Sequence, residues 1–473
     1  MKHQYKNFYF TSGQGLNIIY DFERNRIISI SNDIDTKKIF NSLIDGLPKI
    51  EINLTNEEDN LYEYLQNNVI DENGIYKFNS FEHFENGNFR ITSASFMIAQ
   101  SCNLACSYCY GGESGKYSSK TSVMNEDVAQ KAIKRLVEDN ANVENYITIN
   151  FFGGEPLMNF KLIKFIVNEC DNKYSANNFI FSITTNGTLI TKEIATFFKD
   201  HNFKILVSID GNEEIHDYHR KYPNGSGSYL NALKGIATLK EYNVEFRIRS
   251  TLDHQFYSKY FEIVEFLNRL GCDRVTIARL VKYEDDKLNF SLNIDHIKKE
   301  KTQLKKYLNK VEKEVMEGKT PCHFPYLSNF RKIIFAEKNL MSCGAYEGGT
   351  AISSDGKFYP CHRFVGMEGF DFGDVEMGVD KERLKKQTDN LDNSTKPCLN
   401  CFGKYICQRA CIRDIAKSKG LFISYDDEYC DLLREAVDHS LILYYKLLKT
   451  RPDFFNTQLI IENEVFDNSS IHN

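Results

Sequence analysis

Ser95-Phe-Met-Ile-Ala99-Gln-Ser-Cys102-Asn-Leu-Ala-Cys106-Ser-Tyr-Cys109 is the stretch that decides the fold. Its apolar start reads as a buried strand, and that strand runs directly into three cysteines at CxxxCxxC spacing. Three thiolates on one short loop hold a cubane iron–sulfur cluster by three of its four irons and leave the fourth without a protein ligand. The triplet alone also suits a partial zinc or ferredoxin-like site. The chain on either side narrows the choice.

Strands and helices alternate from residue 95 onward. Strands are expected at 95–99, 146–151, 179–184, 203–209, 244–250 and 274–278, with helices at 126–139, 159–171, 191–199, 228–240 and 257–269. Such units mean an α/β fold, and a partial (β/α)6 TIM-like barrel over 95–290 accommodates them. A full eight-unit barrel needs more chain than is available before residue 343. The charged segment 293–317 reads as a solvated helix, within a bridge at 291–320. Residues 1–85 read as a separable unit, with extended runs at 7–10 and 17–30, helices at 35–43 and 56–66, and a closing strand at 75–78. That order suits a winged-helix module, and 79–94 reads as a linker. Regular elements thin out over 321–435, and a helix and a polar tail occupy 436–473, the helical pattern itself starting at 431.

The chain has 473 residues, 42% hydrophobic and 26% charged, which bounds it at two to four domains. A formal net charge of −6 gives no strongly basic surface, so nucleic acid is not an expected partner. No apolar run is long enough to span a membrane, and the start of the chain lacks the apolar core of a signal peptide. A cytoplasmic protein is expected. Of the 13 cysteines, three lie at 102–109 and six between 343 and 411, followed by Cys430. In a reducing compartment such clusters read as metal ligands rather than disulfides.

Further motifs end the strands after the cysteine loop: Phe152-Gly153-Gly154-Glu155-Pro156, Thr184-Thr185-Asn186-Gly187 and Ser208-Ile209-Asp210-Gly211. With these in order, the chain resembles the radical S-adenosylmethionine (SAM) superfamily. The resemblance implies a [4Fe-4S] cluster on Cys102, Cys106 and Cys109, with SAM on the open iron and its sulfonium bond cleaved to a 5′-deoxyadenosyl radical. It implies cofactor contacts from Tyr108 near adenine, from Gly153, Gly154 and Glu155 at the methionine amine, and from Asn186 and Ser208. His216, Asp217 and Arg220 match a segment of peptide-acting members; the first two read as a loop network and Arg220 as an anionic contact. Arg247 and Arg249 alternate with apolar residues and make one face of the fifth strand basic, able to meet a carboxylate or ribose.

The later cysteines, Cys343, Cys361, Cys398, Cys401, Cys407, Cys411 and Cys430, resemble the SPASM domain, which implies two auxiliary [4Fe-4S] clusters and three clusters in all. By family pairing Cys398, Cys401, Cys407 and Cys430 hold the outer cluster, and Cys343, Cys361 and Cys411 the inner one. Cys322 is a candidate fourth inner ligand; the alternative is an open iron for a substrate thiolate. Cys170 and Cys272 read as buried small hydrophobes. Residues 1–85 resemble the leader-recognition element of ribosomal peptide maturases, which works by strand addition. The 56–66 helix carries Glu57, Glu58, Asp59 and Glu63, which does not suit DNA binding. Tyr359-Pro360-Cys361-His362-Arg363 is similar to maturases that form thioethers (sactipeptide and ranthipeptide types). Anaerobic sulfatase maturases tend to have an acidic residue where His362 stands. The resemblance implies a ribosomally made, cysteine-containing precursor peptide with a leader as substrate, and an external electron donor such as flavodoxin or ferredoxin. The alternatives are a carbon–carbon crosslinking cyclase, a quinoprotein or sulfatase maturase, and a non-catalytic iron–sulfur scaffold that binds peptide.

Overall fold

The computed structural model describes residues 2–45, 52–69, 89–111, 123–141, 146–175, 177–280, 294–335, 343–407, 411–417, 421–422 and 427–456. The strand expected at 75–78, the linker before residue 89 and the tail after 456 lie outside the described residues.

The chain begins with an antiparallel meander of β1 (Lys2–Tyr5), β2 (Phe8–Gly13), β3 (Leu16–Asp21) and β4 (Arg26–Ile30). The turn at Glu23-Arg24-Asn25 splits the long extended run, with Asn25 in the left-handed region at φ 50°. Helices α1 (Thr36–Ile44) and α2 (Asn56–Asn67) follow, the second opened by a capping box between Thr55 and Glu58. Period-two alternation then buries both faces of the sheet. Phe8, Phe10 and Ile19 pack on Ile39, Phe40, Leu43, Tyr62 and Leu65. Tyr9, Ile18 and Tyr20 pack on Ile333, Phe402, Ile406, Val437 and Leu441 from far along the chain. The unit expected to be separable therefore shares a core with the C-terminal half. Glu23 and Lys404 seal the join as a buried ion pair, and the Tyr405 hydroxyl donates to Glu23 at 3.0 Å.

The central sheet is built from β5 (Ser93–Ala99), β6 (Ile147–Gly153), β7 (Phe179–Thr185), β8 (Lys204–Ser208), β9 (Phe246–Leu252) and β10 (Arg274–Arg279), all parallel. Between them run α3 (Glu126–Asp139), α4 (Phe160–Lys173), α5 (Lys192–Asp200), α6 (Glu213–His219), α7 (Tyr229–Glu241) and α8 (Tyr260–Asn268). Every residue of β5 and β6 is buried, as a parallel sheet covered on both faces requires. The expected charged bridge is α9 (Ile294–Met316), and it is more than a solvated span. Tyr307, Val311 and Val315, four residues apart, are all buried, with 1% exposure at most, forming one apolar stripe against the barrel.

After α10 (Leu327–Ile334), two strands join the same sheet: β11 (Gly349–Ile352) lies parallel to β5, and β12 (Phe358–Tyr359) pairs antiparallel with β11. The sheet order is β10-β9-β8-β7-β6-β5-β11-β12. The cysteine-rich region thus covers the edge that β5 would otherwise leave open. Helices α11 (Lys381–Thr395) and α12 (Asp427–Thr450) follow, with short antiparallel strand pairs of Gly373–Asp374 with Gly378–Val379 and of Ala416–Lys417 with Leu421–Phe422.

Candidate active site

Cys102, Cys106 and Cys109 follow β5 and line one cavity at the carboxyl ends of the strands. Gly153 and Gly154, at the end of β6, let the cysteine loop lie against that strand. Gly154 N–H donates to Ala99 O at 2.8 Å, and Glu155 N–H to Ser101 O at 2.9 Å. A Cβ on Gly153, whose φ is +144°, would sit 2.1 Å from Ala99 O, and one on Gly154 would sit 2.2 Å from Ser101 O. On its other side the loop is splinted by the end of α6. Ala105 N–H donates to Lys221 O at 2.7 Å and Ser107 N–H to His219 O at 3.1 Å. The Ser107 hydroxyl lies 2.6 Å from His219 Nδ1, and His219 Nε2 lies 2.6 Å from buried Asp253.

Tyr108 is clamped between those groups. Its hydroxyl donates to Asp210 at 2.5 Å, and its ring meets Arg220 at 5.4 Å and His219 at 4.9 Å. Asp210 also accepts from Arg220 at 2.8 and 3.2 Å and from Thr251 N–H at 2.9 Å. Burial alone would raise the Asp210 pKa, but Arg220 beside it holds the carboxyl below its usual range. Glu155 is fully buried and is not among the lining residues. Its carboxylate accepts from Thr185 Oγ1 at 2.8 Å, Asn186 N–H at 2.7 Å and Leu157 N–H at 3.1 Å, tying the ends of β6 and β7 together. Burial pushes its pKa up to about 7 against those three donors.

Burial pushes the Cys106 thiol up to about 12 and raises Cys102 and Cys109 as well, with neighbouring thiolates adding to the first two. Thiols this reluctant to ionise alone become ligands when a cation supplies the compensating charge. Three of them around one glycine-walled cavity fit a cluster held by three cysteines. Asn186 completes that side, its amide donating to Asn103 at 2.8 Å and lying 3.8 Å from Cys102 Sγ.

The later cysteines separate into two groups. Burial pushes Cys343 up to about 12, and Cys343 and Cys361 each feel the charge of Cys411. Cys401 and Cys430 both act on Arg434, and Cys407 and Cys401 flank Gly403 at 3.6 and 3.8 Å from its added Cβ. Cys398 is joined to Cys401 by a turn, with Cys401 N–H donating to Cys398 O at 3.1 Å. Cys322, the candidate fourth inner ligand, makes its recorded contacts at the amino end of β10. It sits beside Cys272, its thiol 3.7 Å from Cys272 O, and its own carbonyl accepts from Val275 N–H at the amino end of β10. Cys361 directly precedes His362 and Arg363, which line the cavity at the carboxyl ends of the strands, and the length of β10 alone sets those two ends about 17 Å apart.

The family description "Radical SAM superfamily" matches residues 97–267. The uncharacterized protein MJ0907 of Methanocaldococcus jannaschii is 35% identical over 210 residues, covering 44% of this chain and 70% of that protein. The chain belongs to the radical SAM superfamily. The radical SAM cyclopropyl synthase TigE of Paramaledivibacter caminithermalis is 24% identical over 87% of this chain and 88% of its own length. The cysteine-type anaerobic sulfatase-maturating enzyme of Clostridium novyi is 27% identical over 67% of this chain and 86% of that enzyme. The solved structure of native anSMEcpe with bound AdoMet shares the fold at a TM-score of 0.62 and 21% identity, over 75% of this chain and 99% of that one. Membership brings SAM and a [4Fe-4S] cluster as cofactors.

In radical SAM terms, Tyr108, Gly153, Gly154, Asn186, Ser208, Arg220 and Arg249 all line the cavity with the three cysteines. Glu155 lies beneath it as a brace. His216 and Asp217 build a loop, through Ser228 Oγ at 3.0 Å and the Ser228 and Tyr229 N–H groups at 2.8 and 2.9 Å. Arg247 is not among the lining residues and neighbours Asp273. Sequence reasoning missed the roles of Asp210, His219 and Asp253 as the splint of the cysteine loop, and the lining positions of His362, Arg363 and Arg279. Asp210, in the Ser-Ile-Asp-Gly motif, and His362 and Arg363, in the Tyr-Pro-Cys-His-Arg string, carried a signal; His219, Asp253 and Arg279 carried none.

Proposed function

We propose that this enzyme installs thioether crosslinks between a cysteine sulfur and a backbone or side-chain carbon of a ribosomally made precursor peptide. One observation carries the reading: the two cysteine regions share a wall. His362 and Arg363 line the cavity of Cys102, Cys106 and Cys109, and they directly follow Cys361 of the second set. A peptide residue in the cavity is therefore flanked by both. When bound, the cluster and SAM at the first set supply the 5′-deoxyadenosyl radical, and auxiliary clusters at the second set supply a one-electron acceptor.

The chain's own residues bind, orient and exclude water. The Gly153 and Gly154 backbone, Asn186 and Ser208 face the cofactor's place beside the cysteines. Tyr108 is held for it by Asp210 and Arg220. His362 stacks on Phe152 at 4.2 Å and closes the cavity from the side of the second set. The outer strand of the N-terminal sheet, β4, pairs only with β3 among the described residues, and strand addition there would recruit a leader peptide. The acidic first turn of α2, Glu57, Glu58 and Asp59, argues against a nucleic-acid partner.

The test is reconstitution of the full chain with iron and sulfide, reduction with SAM, and incubation with a cysteine-containing precursor peptide encoded beside it. Expected are 5′-deoxyadenosine and a peptide that loses two hydrogens and one alkylatable thiol per link. Cys102→Ala, Cys106→Ala or Cys109→Ala should abolish both. SAM turnover with every thiol still alkylatable would sink the thioether reading. That outcome would favour carbon–carbon bond formation, for which the match to TigE over 87% of the chain speaks. The Clostridium novyi match favours sulfatase maturation, tested by oxidation of the target cysteine in a sulfatase-derived peptide.

A further inference from the structure

Helix α9 carries seven lysines and four acidic residues, on a chain whose formal net charge is −6. The two signs are sorted by face. Tyr307, Val311 and Val315 turn inward to the barrel. Three of the acidic residues are engaged at the flanks of that stripe: Glu300 accepts from Arg279 at 2.7 and 2.9 Å, Glu312 pairs with Lys446, and Glu314 pairs with Lys310 at 3.2 Å. The fourth, Asp295, is exposed at the amino end, 4.0 Å from Lys298. Lys298, Lys299, Lys305, Lys306 and Lys313 are all exposed. Steps of seven residues relate Lys298 to Lys305, and Lys299 to Lys306 and Lys313. Residues seven apart on an α-helix differ by only about 20° around its axis, so the five lysines form one broad basic stripe on the solvent side.

Two contacts set this helix beside both cysteine regions. Arg279, which holds Glu300, lines the cavity of Cys102, Cys106 and Cys109. Lys301 pairs with Glu435 of α12, five residues and about 7.5 Å along that helix from Cys430. Arg434, the residue before Glu435, lines a surface cavity together with Cys401, Gln4 and Tyr9. Cleavage of SAM consumes one electron, and the cysteines that would hold the cluster sit in a cavity, so the reductant must deliver it from outside. Opposite charge steers such brief protein encounters. We propose that the lysine stripe of α9 is the docking face for an acidic protein that carries one electron at a time. The carrier loses one electron and the cluster on the first cysteine set gains it; no atom changes hands. The inference rests on the radical reading of that set and names the surface that meets its electron donor. An acidic leader peptide is the competing occupant.

The test titrates the reconstituted full chain with flavodoxin, an acidic flavin protein, read by flavin fluorescence at about 50 mM and about 500 mM salt. The double variant Lys299→Glu/Lys306→Glu is expected to bind about tenfold more weakly than wild type at the lower salt, with the difference screened away at the higher. Lys161→Glu, at an exposed position of α4, should bind as wild type does. Formation of 5′-deoxyadenosine with reduced flavodoxin should fall about tenfold in the double variant, while formation with dithionite, which needs no docking face, stays unchanged. Equal flavodoxin affinity in wild type and double variant overturns the proposal, as does no binding by wild type. So does a loss shared by Lys161→Glu or by the dithionite reaction. Weaker precursor-peptide binding in the double variant, with flavodoxin binding intact, overturns it in favour of the leader. Absence of 5′-deoxyadenosine from wild type with dithionite would sink the radical reading instead, and the binding comparison judges the docking face apart from it.

Discussion

Gly154 shows how closely this site is fitted at the level of single atoms. The cysteine loop is pinned to the end of β6 by hydrogen bonds from Gly154 and Glu155, at a spacing that leaves no room for a side chain. Gly154→Ala would push Ser101 and Cys102, because the clash is with backbone. We expect it to cost roughly 1–3 kcal/mol and to lower iron retention at the first cysteine set, read by iron content and visible absorbance after reconstitution. Asp210 is the second such point. Its one buried carboxylate answers Arg220, the Tyr108 hydroxyl and Thr251 N–H together. The aromatic of the cysteine loop is thus fixed by a residue from the end of a different strand, β8.

At the scale of elements, β10 and α8 are joined by His323. Its Nδ1 lies 2.9 Å from Val275 O, and its Nε2 lies 2.7 Å from the Tyr260 hydroxyl. A carbonyl can only accept, so Nδ1 carries a proton, and in the neutral ring Nε2 accepts from the Tyr260 hydroxyl. Burial lowers its pKa from the usual 6.5 to about 4. The unfolded chain therefore takes up this proton first. The contribution of His323 to stability is fully present above pH 6.5 and is lost as pH falls toward 4, at up to about 1.4 kcal/mol per pH unit. His216 is held down to about 4 by burial in the same way and adds its own loss over that range. Urea unfolding of the wild type and His323→Gln at about pH 7 and about pH 5 should show a flatter pH dependence in the variant. Equal slopes would mean His323 is not held neutral.

At the scale of the molecule, the N-terminal sheet is welded to the region of the outer cysteines. Tyr9 stacks on Phe402 at 3.5 Å and 4°, between Cys401 and Gly403, and its hydroxyl donates to Asp438 at 3.1 Å. Glu23 and Lys404 are both buried, so Glu23→Gln strands a lysine without its charge partner. The expected cost is about 3–5 kcal/mol. Limited proteolysis should then release the N-terminal residues faster, and iron bound by the later cysteines should fall with them. Release of the N-terminal part with no change in iron content would mean that the two are not coupled.

Periodicity, glycine placement and cysteine spacing made the barrel legible, because each is set within a few residues. The six parallel strands start and end close to their expected positions. The cysteine loop, Gly153, Gly154, Asn186 and Ser208 were readable as a site because each ends a strand, and strand ends in such a barrel share one face. The sequence by itself thus determined the alternating fold and the gathering of three cysteines in one cavity at the strand ends. Only the tertiary structure decided that β11 completes the sheet beside β5, that the N-terminal sheet has two covered faces, and that Cys322 lies with Cys272. It alone set Arg363 beside Arg249, from segments far apart in the chain. Those contacts depend on pairings between distant segments, and no local period encodes which distant partner a buried face or a charge will meet.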